Sequence, residues 1–552
     1  MELKVLFNTA RSATIEIADG GKYHTQKKYR LTLNGKDYGT TDVVITNLFG
    51  LKPDKEYELK VYSIDSVAEN ETTTKDKVAA GEIDATEDGQ EAAHEAADAG
   101  KEAAAITFRT DFESFTLNVR AFGAKGDGET DDTLAIQTAI NACPSDGRVL
   151  IPKGVHMFTC LFLKSGLRLE LMRDAVLKND GRTDRLPLLP GVIQSYNEDS
   201  EYILGSWEGN PLDQHVSLIT GLCVQDVVLY GEGTIDGNAS VDGWWNKARI
   251  KTPPFRPKML FLNHCENIRL QGLLFANSPC WTLHPYFSKD LAFYGVEVHN
   301  PADSPNTDGI DPESVDGLQI YGAKLYTGDD CVAIKSGKIY MGKTYKSPSR
   351  NITIRHSLLM RGHGSITIGS EIAGGAKNVL IENCVFDGTD RGLRIKTRRG
   401  RGKDSVIDDI TFRDIEMKGV LTPVVVNSFY FCDPDGHSSY VQNREAMPVD
   451  ARTPEIGKLT FEQLDCRDCH AAAAWIDGLP EKKIGEIVMR DVRVSFANDA
   501  QPSVPAMAEG IDPCSRAGLH ITNAKSVVLE NVRVSGCEGE EIVAENVDEI
   551  KR

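Results

Sequence analysis

One pattern recurs along most of this chain and restricts what it can fold into. An Asn or Asp is followed by apolar-x-apolar, two further residues, and a second apolar-x-apolar. It reads Ile268/Leu270/Leu273/Phe275, Leu291/Phe293/Val296/Val298, Leu318/Ile320/Ala323/Leu325 and Val379/Ile381/Cys384/Phe386. It continues as Ile410/Phe412/Ile415/Met417, Leu459/Phe461/Leu464/Cys466, Ile487/Met489/Val492/Val494 and Val527/Leu529/Val532/Val534, with Ile352/Ile354 and Ser357/Leu359 as a variant. Successive units start between 23 residues (268 to 291) and 49 residues (410 to 459) apart. Alternation with period two specifies a strand, and the change of phase in mid-unit specifies a bend between two sheets. Strands at this interval with no helices between them exclude alternating βα layers. The expected class is therefore all-β: a right-handed parallel β-helix, each coil ~4.8 Å above the last. A two-sheet sandwich of unusual length is the alternative.

The 552 residues exceed a usual single domain, and the repeat does not cover the N-terminus. Residues 12–18, 28–33, 42–47 and 57–63 are short alternating segments separated by Gly, Asn, Asp and Pro, the pattern of a small β-sandwich. Leu51-Lys52-Pro53 followed by Tyr57-Glu58-Leu59-Lys60-Val61 resembles the corner before a late strand of fibronectin type III domains, with Tyr57 as the corner tyrosine. A first domain over 1–111 is expected, interrupted by an Ala/Glu/Asp-rich stretch at 66–104 and closed by the strand 105–110. A second domain, 115–552, holds the repeat. It opens with a helix running from Asp131-Asp132-Thr133 to Asn141, with Leu134, Ile136, Ala139 and Ile140 as its apolar positions. One amphipathic helix ahead of a long β region caps an open solenoid end.

Net charge is −19, which excludes nucleic acid and anionic membrane as general partners. Any acidic substrate must then be held by a local basic patch. No apolar run approaches a membrane span, and the N-terminus carries no export signal. The 12 cysteines follow no framework spacing, and Cys265 and Cys384 fall at inward strand positions. Buried free thiols in the cytoplasm are the expectation.

Four short motifs follow four consecutive units: Asn306-Thr307-Asp308, Gly328-Asp329-Asp330, Gly362-His363-Gly364 and Arg394-Ile395-Lys396. Asp329 lies 11 residues beyond Leu318, and His363 lies 11 beyond Ile352, so equal offsets stack them on one wall. Glycoside hydrolysis needs one carboxylic acid to protonate the departing oxygen and one carboxylate to activate water. Carboxylates a few ångströms apart do not all ionise cheaply, so one retains its proton. From Arg391 to Lys403 the chain also carries seven cations and no acid. That is the basic patch an acidic sugar requires, since Arg pairs with carboxylates through two parallel donors.

These four blocks, with the flanking Pro305, Gly309-Ile310, Cys331-Val332-Ala333-Ile334-Lys335-Ser336-Gly337 and Gly369-Ser370-Glu371, resemble the signature of the polygalacturonases, glycoside hydrolase family 28. The resemblance covers roughly residues 115–552. It implies hydrolysis of α-1,4-galacturonosyl linkages with inversion, and neither metal nor cofactor. It implies Asp329 as general acid, Asp308 and Asp330 as the holders of water, His363 as support for the acid's protonation, and Asn306, Arg394 and Lys396 on the substrate. A family tyrosine is matched by Tyr430 in Asn427-Ser428-Phe429-Tyr430, a block that departs from the usual pattern. The expected partner is an oligogalacturonide cut from its end, because polymeric pectin does not enter cells and because fibronectin-type modules resemble those of bacterial exo-acting members. Endo action, a rhamnogalacturonan-type hydrolase, a calcium-dependent pectate lyase and a non-catalytic carbohydrate-binding β-helix stand as alternatives.

Other signals are weaker. Cys466-Arg467-Asp468-Cys469-His470 matches a haem-attachment spacing but falls inside a repeat. His284, His299 and His356 read as structural. Trp244, Trp245, Trp281 and Tyr286 are candidates for stacking on sugars. Residues 182–215 and 430–456 interrupt the repeat and are expected as loops along the cleft; walls at one end would make the enzyme trim chain ends.

Overall fold

Each unit of the repeat stacks on the next without a slip of register. Ile268 pairs with Leu291, Leu291 with Leu318, and Leu318 with Ile352. The column continues through Val379, Ile410, Leu459, Ile487 and Val527, every pairing parallel and every residue buried. The computed structural model, which describes residues 1–64, 101–194, 201–250 and 252–552, is thus a parallel β-helix. Alternation with period two sends Ile410, Phe412, Ile415 and Met417 inward while Thr411, Arg413 and Glu416 face out. Rings in successive coils, Phe386, Phe412 and Phe461, line the interior in edge-on and tilted contacts at centroid separations of 6.4 and 5.8 Å.

The phase change predicted in mid-unit is a corner of the coil. At this corner the backbone adopts positive φ at Gly272, Gly295, Gly322, His356, Asn383, Asp414, Gln463, Asp491 and Asn531 in successive coils. A second left-handed position explains the Asn or Asp ahead of the first strand: Asn267, Asp290, Asn351, Asn378 and Asp409 all have φ between 51° and 57°. Asn and Asp tolerate that region better than other side chains with a Cβ. Their side chains also bond between coils, as in Asn378 Nδ2 to Asn351 Oδ1 (2.7 Å) and Asn351 Nδ2 to Asp316 Oδ1 (2.6 Å).

A further wall was not visible as a repeat. It runs from Ile219–Leu222 through Leu260–Asn263 and Leu283–Tyr286, crosses Ile310 by single bridges, and continues through Val332–Ile334, Ile366–Gly369, Arg391–Lys396, Thr422–Asn427 and Ala472–Asp477. This wall carries the four motifs.

The helix Thr133–Ala142 packs on the solenoid through Ile136, Ala139 and Ile140. Leu134, expected on that face, is 79% exposed. Asp132 stands at the N-cap but makes no side-chain cap bond. Its carboxylate instead accepts from the amides of Lys125 and Gly126 and pairs with buried His156. Asp131 accepts from the Thr133 amide.

The N-terminal residues form two antiparallel sheets. One holds Glu2–Asn8, Ala13–Ala18 and Ile45–Leu48; the other holds Lys36–Val43, His24–Leu33, Glu56–Ser63 and Glu102–Arg109. The closing strand starts earlier than the expected 105, so residues 102–104 belong to it rather than to the insert. The remainder of the insert, to residue 100, lies outside the described residues. Tyr57 Oη accepts from the Lys52 amide at 2.8 Å, the bond a corner tyrosine makes.

Three corner glycines in consecutive coils seat this region on the solenoid. A Cβ on Gly272 would lie 2.4 Å from Phe49 Cζ, one on Gly295 2.4 Å from Asn47 Nδ2, and one on Gly322 2.5 Å from Ile45 Cβ. Ile45 and Asn47 on the strand Ile45–Leu48, with Phe49 just past its end, thus meet three stacked glycines. Later coils carry Asn383 and Asp414 at the same corner, and Asp414 pairs with Lys22 at 2.7 Å. Arg355–Glu16 (2.6 Å) and His356 Nδ1 donating to the Lys22 carbonyl (2.7 Å) extend the seam.

Gly322→Ala should therefore lower stability by about 1–3 kcal/mol through overpacking against Ile45 as well as backbone strain. Gly388→Ala shares a positive φ but would meet only Arg361 Nη1, at 4.0 Å, so it isolates the strain alone. Equal melting temperatures for the two variants would contradict the seam.

Candidate active site

The wall's register brings the motifs together. Ile310 bridges Val332, Val332 pairs with Ile366, and Ile366 with Leu393. Asp308 and Asp330 each precede their wall residue by two, so they occupy adjacent coils, and the Gly309 amide donates to the Asp330 carbonyl at 3.0 Å. The His363 amide donates to the Asp329 carbonyl at 3.2 Å one coil further on. Asp308, Asp329 and Asp330 then present carboxylate oxygens within 4.8 Å of one another.

The motif glycines make room for this. A Cβ on Gly364 would lie 2.9 Å from Asp330 Oδ1 and 2.3 Å from Thr367 Oγ1, and one on Gly362, at φ +75°, would lie 2.5 Å from the Asp329 carbonyl. Side chains at these two positions would displace the acids.

Arg394 and Lys396 alternate on the strand Arg391–Lys396 and both reach down to Asp330. Arg394 Nη1 lies 3.0 Å from Oδ1, and Lys396 Nζ 2.8 Å from Oδ2. The two cations expected on substrate therefore hold an acid of the cluster. Burial pushes the Asp330 carboxyl up, but Lys396 and Arg394 outweigh burial and hold it well below the usual carboxylate range. Asp308 goes the other way: burial, reinforced by Asp311 and Asp329, pushes it well up against the opposing Lys335. Adjacent acids in one cluster are thereby driven apart, Asp330 toward the ionised form and Asp308 toward the protonated one.

Several participants carry no motif signal. Lys335 Nζ, buried under the cluster, lies 3.2 Å from Asp311, 3.7 Å from Glu371 and 3.8 Å from Asp308. Burial would lower its pKa, but Glu371, Asp311 and Asp308 raise it well above the usual value, so it stays charged. Behind it, burial pushes Asp311 up to about 7 and Glu313 up to about 8. Glu313 Oε2 sits 3.0 Å from Nε2 of His284, whose pKa burial depresses. In sequence only the flanking run through Lys335 and Glu371 gave a hint.

Asp329 is half-buried at the cleft. Asn306 lines the cleft too, its Oδ1 accepting from Arg256 Nη2 at 2.5 Å, and Tyr430 lies under Lys396, 5.8 Å from ring centroid to Nζ. His363 is placed differently. Its side chain is 54% exposed, and its Nδ1 bonds Asp390 at 2.9 Å, which together with nearby Asp329 and Asp330 raises its pKa. Of the aromatic candidates, Trp281 borders the cleft with Lys335 Nζ 4.3 Å from its ring centroid. Trp244 and Tyr286 are buried, and Trp245 donates to the Ser278 carbonyl. Most of the basic run serves structure: Arg398 and Arg401 hold Asp433, and Arg399 forks onto Glu481. Cys466 and Cys469 are buried in the solenoid, where haem has no access.

The cleft has a volume of about 210 Å³. Its borders come from the two interrupting loops, through Glu208 on one side and Cys432 and Asp433 on the other, with Lys338 between them. The three aspartates are also spaced as cation ligands would be. However, Lys335, Lys396 and Arg394 already supply the neutralising charge that a metal would bring.

The sequence profile of Glycosyl hydrolases family 28 matches residues 204–503, and that of Rhamnogalacturonase A/epimerase, pectate lyase-like matches 116–167. A probable polygalacturonase of Vitis vinifera is 29% identical over 75% of this chain and 85% of its own length. The structure of an exopolygalacturonase from Thermotoga maritima superposes with a TM-score of 0.59 at 26% identity, covering 70% of this chain and 88% of that one. A family 28 exopolygalacturonase structure from Yersinia enterocolitica shares the fold across 99% of this chain and 98% of its own, with a TM-score of 0.68 at 18% identity. Relatives named as endo-acting and as exo-acting both match.

Two measurements check the electrostatics. Lys396→Ala removes a cation 2.8 Å from Asp330, so the Asp330 pKa rises and less of it is ionised at low pH. The acid limb of kcat/KM should move to higher pH; an unmoved limb would contradict the assignment. Glu313 has a raised folded pKa, so its contribution to stability is complete below its unfolded value of about 4.3 and is lost as pH rises through about 8. Glu313→Gln, which does not ionise, should show a shallower fall in melting temperature over that window. A parallel fall in both proteins would contradict the buried-acid reading.

Proposed function

Because the chain belongs to family 28 of the glycosyl hydrolases and hydrolyses polygalacturonate, we propose that it works from the chain end, releasing galacturonic acid with inversion. The observation that carries this reading is the border of the cleft: its three clustered aspartates lie between Glu208 of one interrupting loop and Cys432 and Asp433 of the other.

In this proposal Asp329, half-buried and facing the cleft, protonates the glycosidic oxygen as its bond to the anomeric carbon breaks. Asp308 and Asp330 hold the water whose oxygen bonds that carbon. Asp330, kept ionised by Lys396 and Arg394, accepts the proton that the water loses. Lys396 and Tyr430 border the cleft and contact the substrate together with Asn306, whereas Arg394 acts through Asp330. His363, hydrogen-bonded to Asp390 and one coil from Asp329, supports the acid's protonation state. Inverting enzymes usually hold their carboxyl groups ~6.5–9.5 Å apart; the cluster here is tighter, so inversion rests on family likeness. A cytoplasmic location is proposed on the 12 cysteines, all of them free.

Asp329→Asn should fold, retain oligogalacturonide binding and lose roughly 10²–10⁴-fold in kcat, the usual contribution of a general acid. Full activity in that variant would remove Asp329 from the mechanism. With defined oligogalacturonides, monomer should be the sole early product, and the α-substrate should yield β-configured galacturonate by proton NMR. Early mixed oligomers would establish endo action.

A further inference from the structure

A sugar acid entering this cleft meets six carboxylates, Glu208, Asp308, Asp329, Asp330, Glu371 and Asp433, and three lysines, 335, 338 and 396. Its own carboxylate needs a cation with capacity to spare. Lys396 is bound to buried Asp330 at 2.8 Å. Lys335 is only 4% exposed and sits among Asp308, Asp311 and Glu371. Either can touch a ligand only while it keeps its buried carboxylate, because leaving that carboxylate short of its partner is costly, so neither is free to swing onto the sugar carboxylate.

Lys338 differs in each respect. Its side chain is 18% exposed, and its Nζ lies 3.2 Å from Asp433 and 3.9 Å from Glu208. Asp433 also receives Arg398 Nε at 3.0 Å and Arg401, so it keeps two cations if Lys338 turns away. Its backbone is fixed independently of its charge: the Lys338 amide donates to the Gly209 carbonyl at 2.8 Å, and the residue caps the helix Ile339–Tyr345. It therefore stands between Glu208 and Asp433 of the two bordering loops, a partly exposed ammonium on a pinned backbone.

We propose that Lys338 recognises the carboxylate of the terminal galacturonate ring and so sets the preference for an acidic rather than a neutral sugar at that end. The proposal rests on the exo-acting reading above, since Lys338 stands at the loop border where that reading seats the terminal ring. On binding, the Nζ exchanges its contact with Asp433 for the sugar carboxylate, and Arg398 and Arg401 retain Asp433.

The test compares wild type, Lys338→Met and Lys338→Arg on trigalacturonate and on the same trimer with its non-reducing terminal carboxylate reduced to hydroxymethyl. Lys338→Met should lose roughly tenfold to hundredfold in kcat/KM on trigalacturonate, the scale of a lost charged hydrogen bond, mainly through KM. It should change little on the reduced trimer, and Lys338→Arg should recover part of the loss. Equal losses on both substrates would indicate a merely structural role and overturn the proposal, as would no loss on either. Internal cleavage of hexagalacturonate by wild type, seen as early dimers to tetramers, would overturn the exo reading and this proposal with it. Release of single sugars combined with equal losses would overturn this proposal alone.

Discussion

Register is the constraint on which the rest of this molecule depends. In a parallel stack the side-chain period is two, so a slip of one residue in any coil would turn Ile352 or Ile410 to solvent and the charged residues between them into the core. The left-handed corner positions defend against that slip. Only Gly, Asn, Asp and a few other residues occupy them in successive coils, so a shifted chain would force β-branched residues into a region they adopt with strain. The same register that aligns the core also aligns the wall where Asp308 and Asp330 stand in adjacent coils. Catalytic geometry is thus inherited from the core's packing and not built separately by loops.

Stacking acids at such short range has an electrostatic consequence that the structure answers with cations. Like charges buried within a few ångströms repel strongly, and the cluster is held by Lys335 from beneath and by Lys396 and Arg394 from the coil above. These three do not act uniformly. Two converge on Asp330 and keep it ionised, while Lys335 is divided among Asp308, Asp311 and Glu371, and Asp308 remains pushed up. A difference in protonation between neighbouring acids arises from where the cations point. Asp311 and Glu313 further in, with their pKa values pushed to about 7 and about 8, show what burial does where the cations give less relief.

The loops shape what this machinery receives. Residues 204–214 bring Trp207 between Phe255 and Trp281, at ring separations of 4.7 and 6.3 Å, and place Glu208 at the cleft. Residues 430–456 bring Asp433 and are anchored by Arg398, Arg399 and Arg401. The dense basic run that looked like a substrate patch is therefore largely the anchorage of a loop, and only Arg394 and Lys396 of it reach the acids. Charge density along a sequence does not say which partner a cation will meet, because acids from residues 433, 435 and 481 return to it only through the fold.

The repeat of apolar pairs, legible as residues alone, determined the solenoid, its inward faces and the coincidence of four motifs on successive coils, because strand periodicity and coil length are local properties. The sites of Asp308, Asp329 and Asp330 followed from it. What the chain's order did not contain was pairing across space. That His363 faces Asp390, that Lys396 and Arg394 converge on Asp330, that Leu134 is exposed, and that Lys335 and Lys338 enter the cleft were decided by tertiary structure. Electrostatic partners and burial depend on distances between coils and loops remote in sequence, and no local pattern encodes those distances.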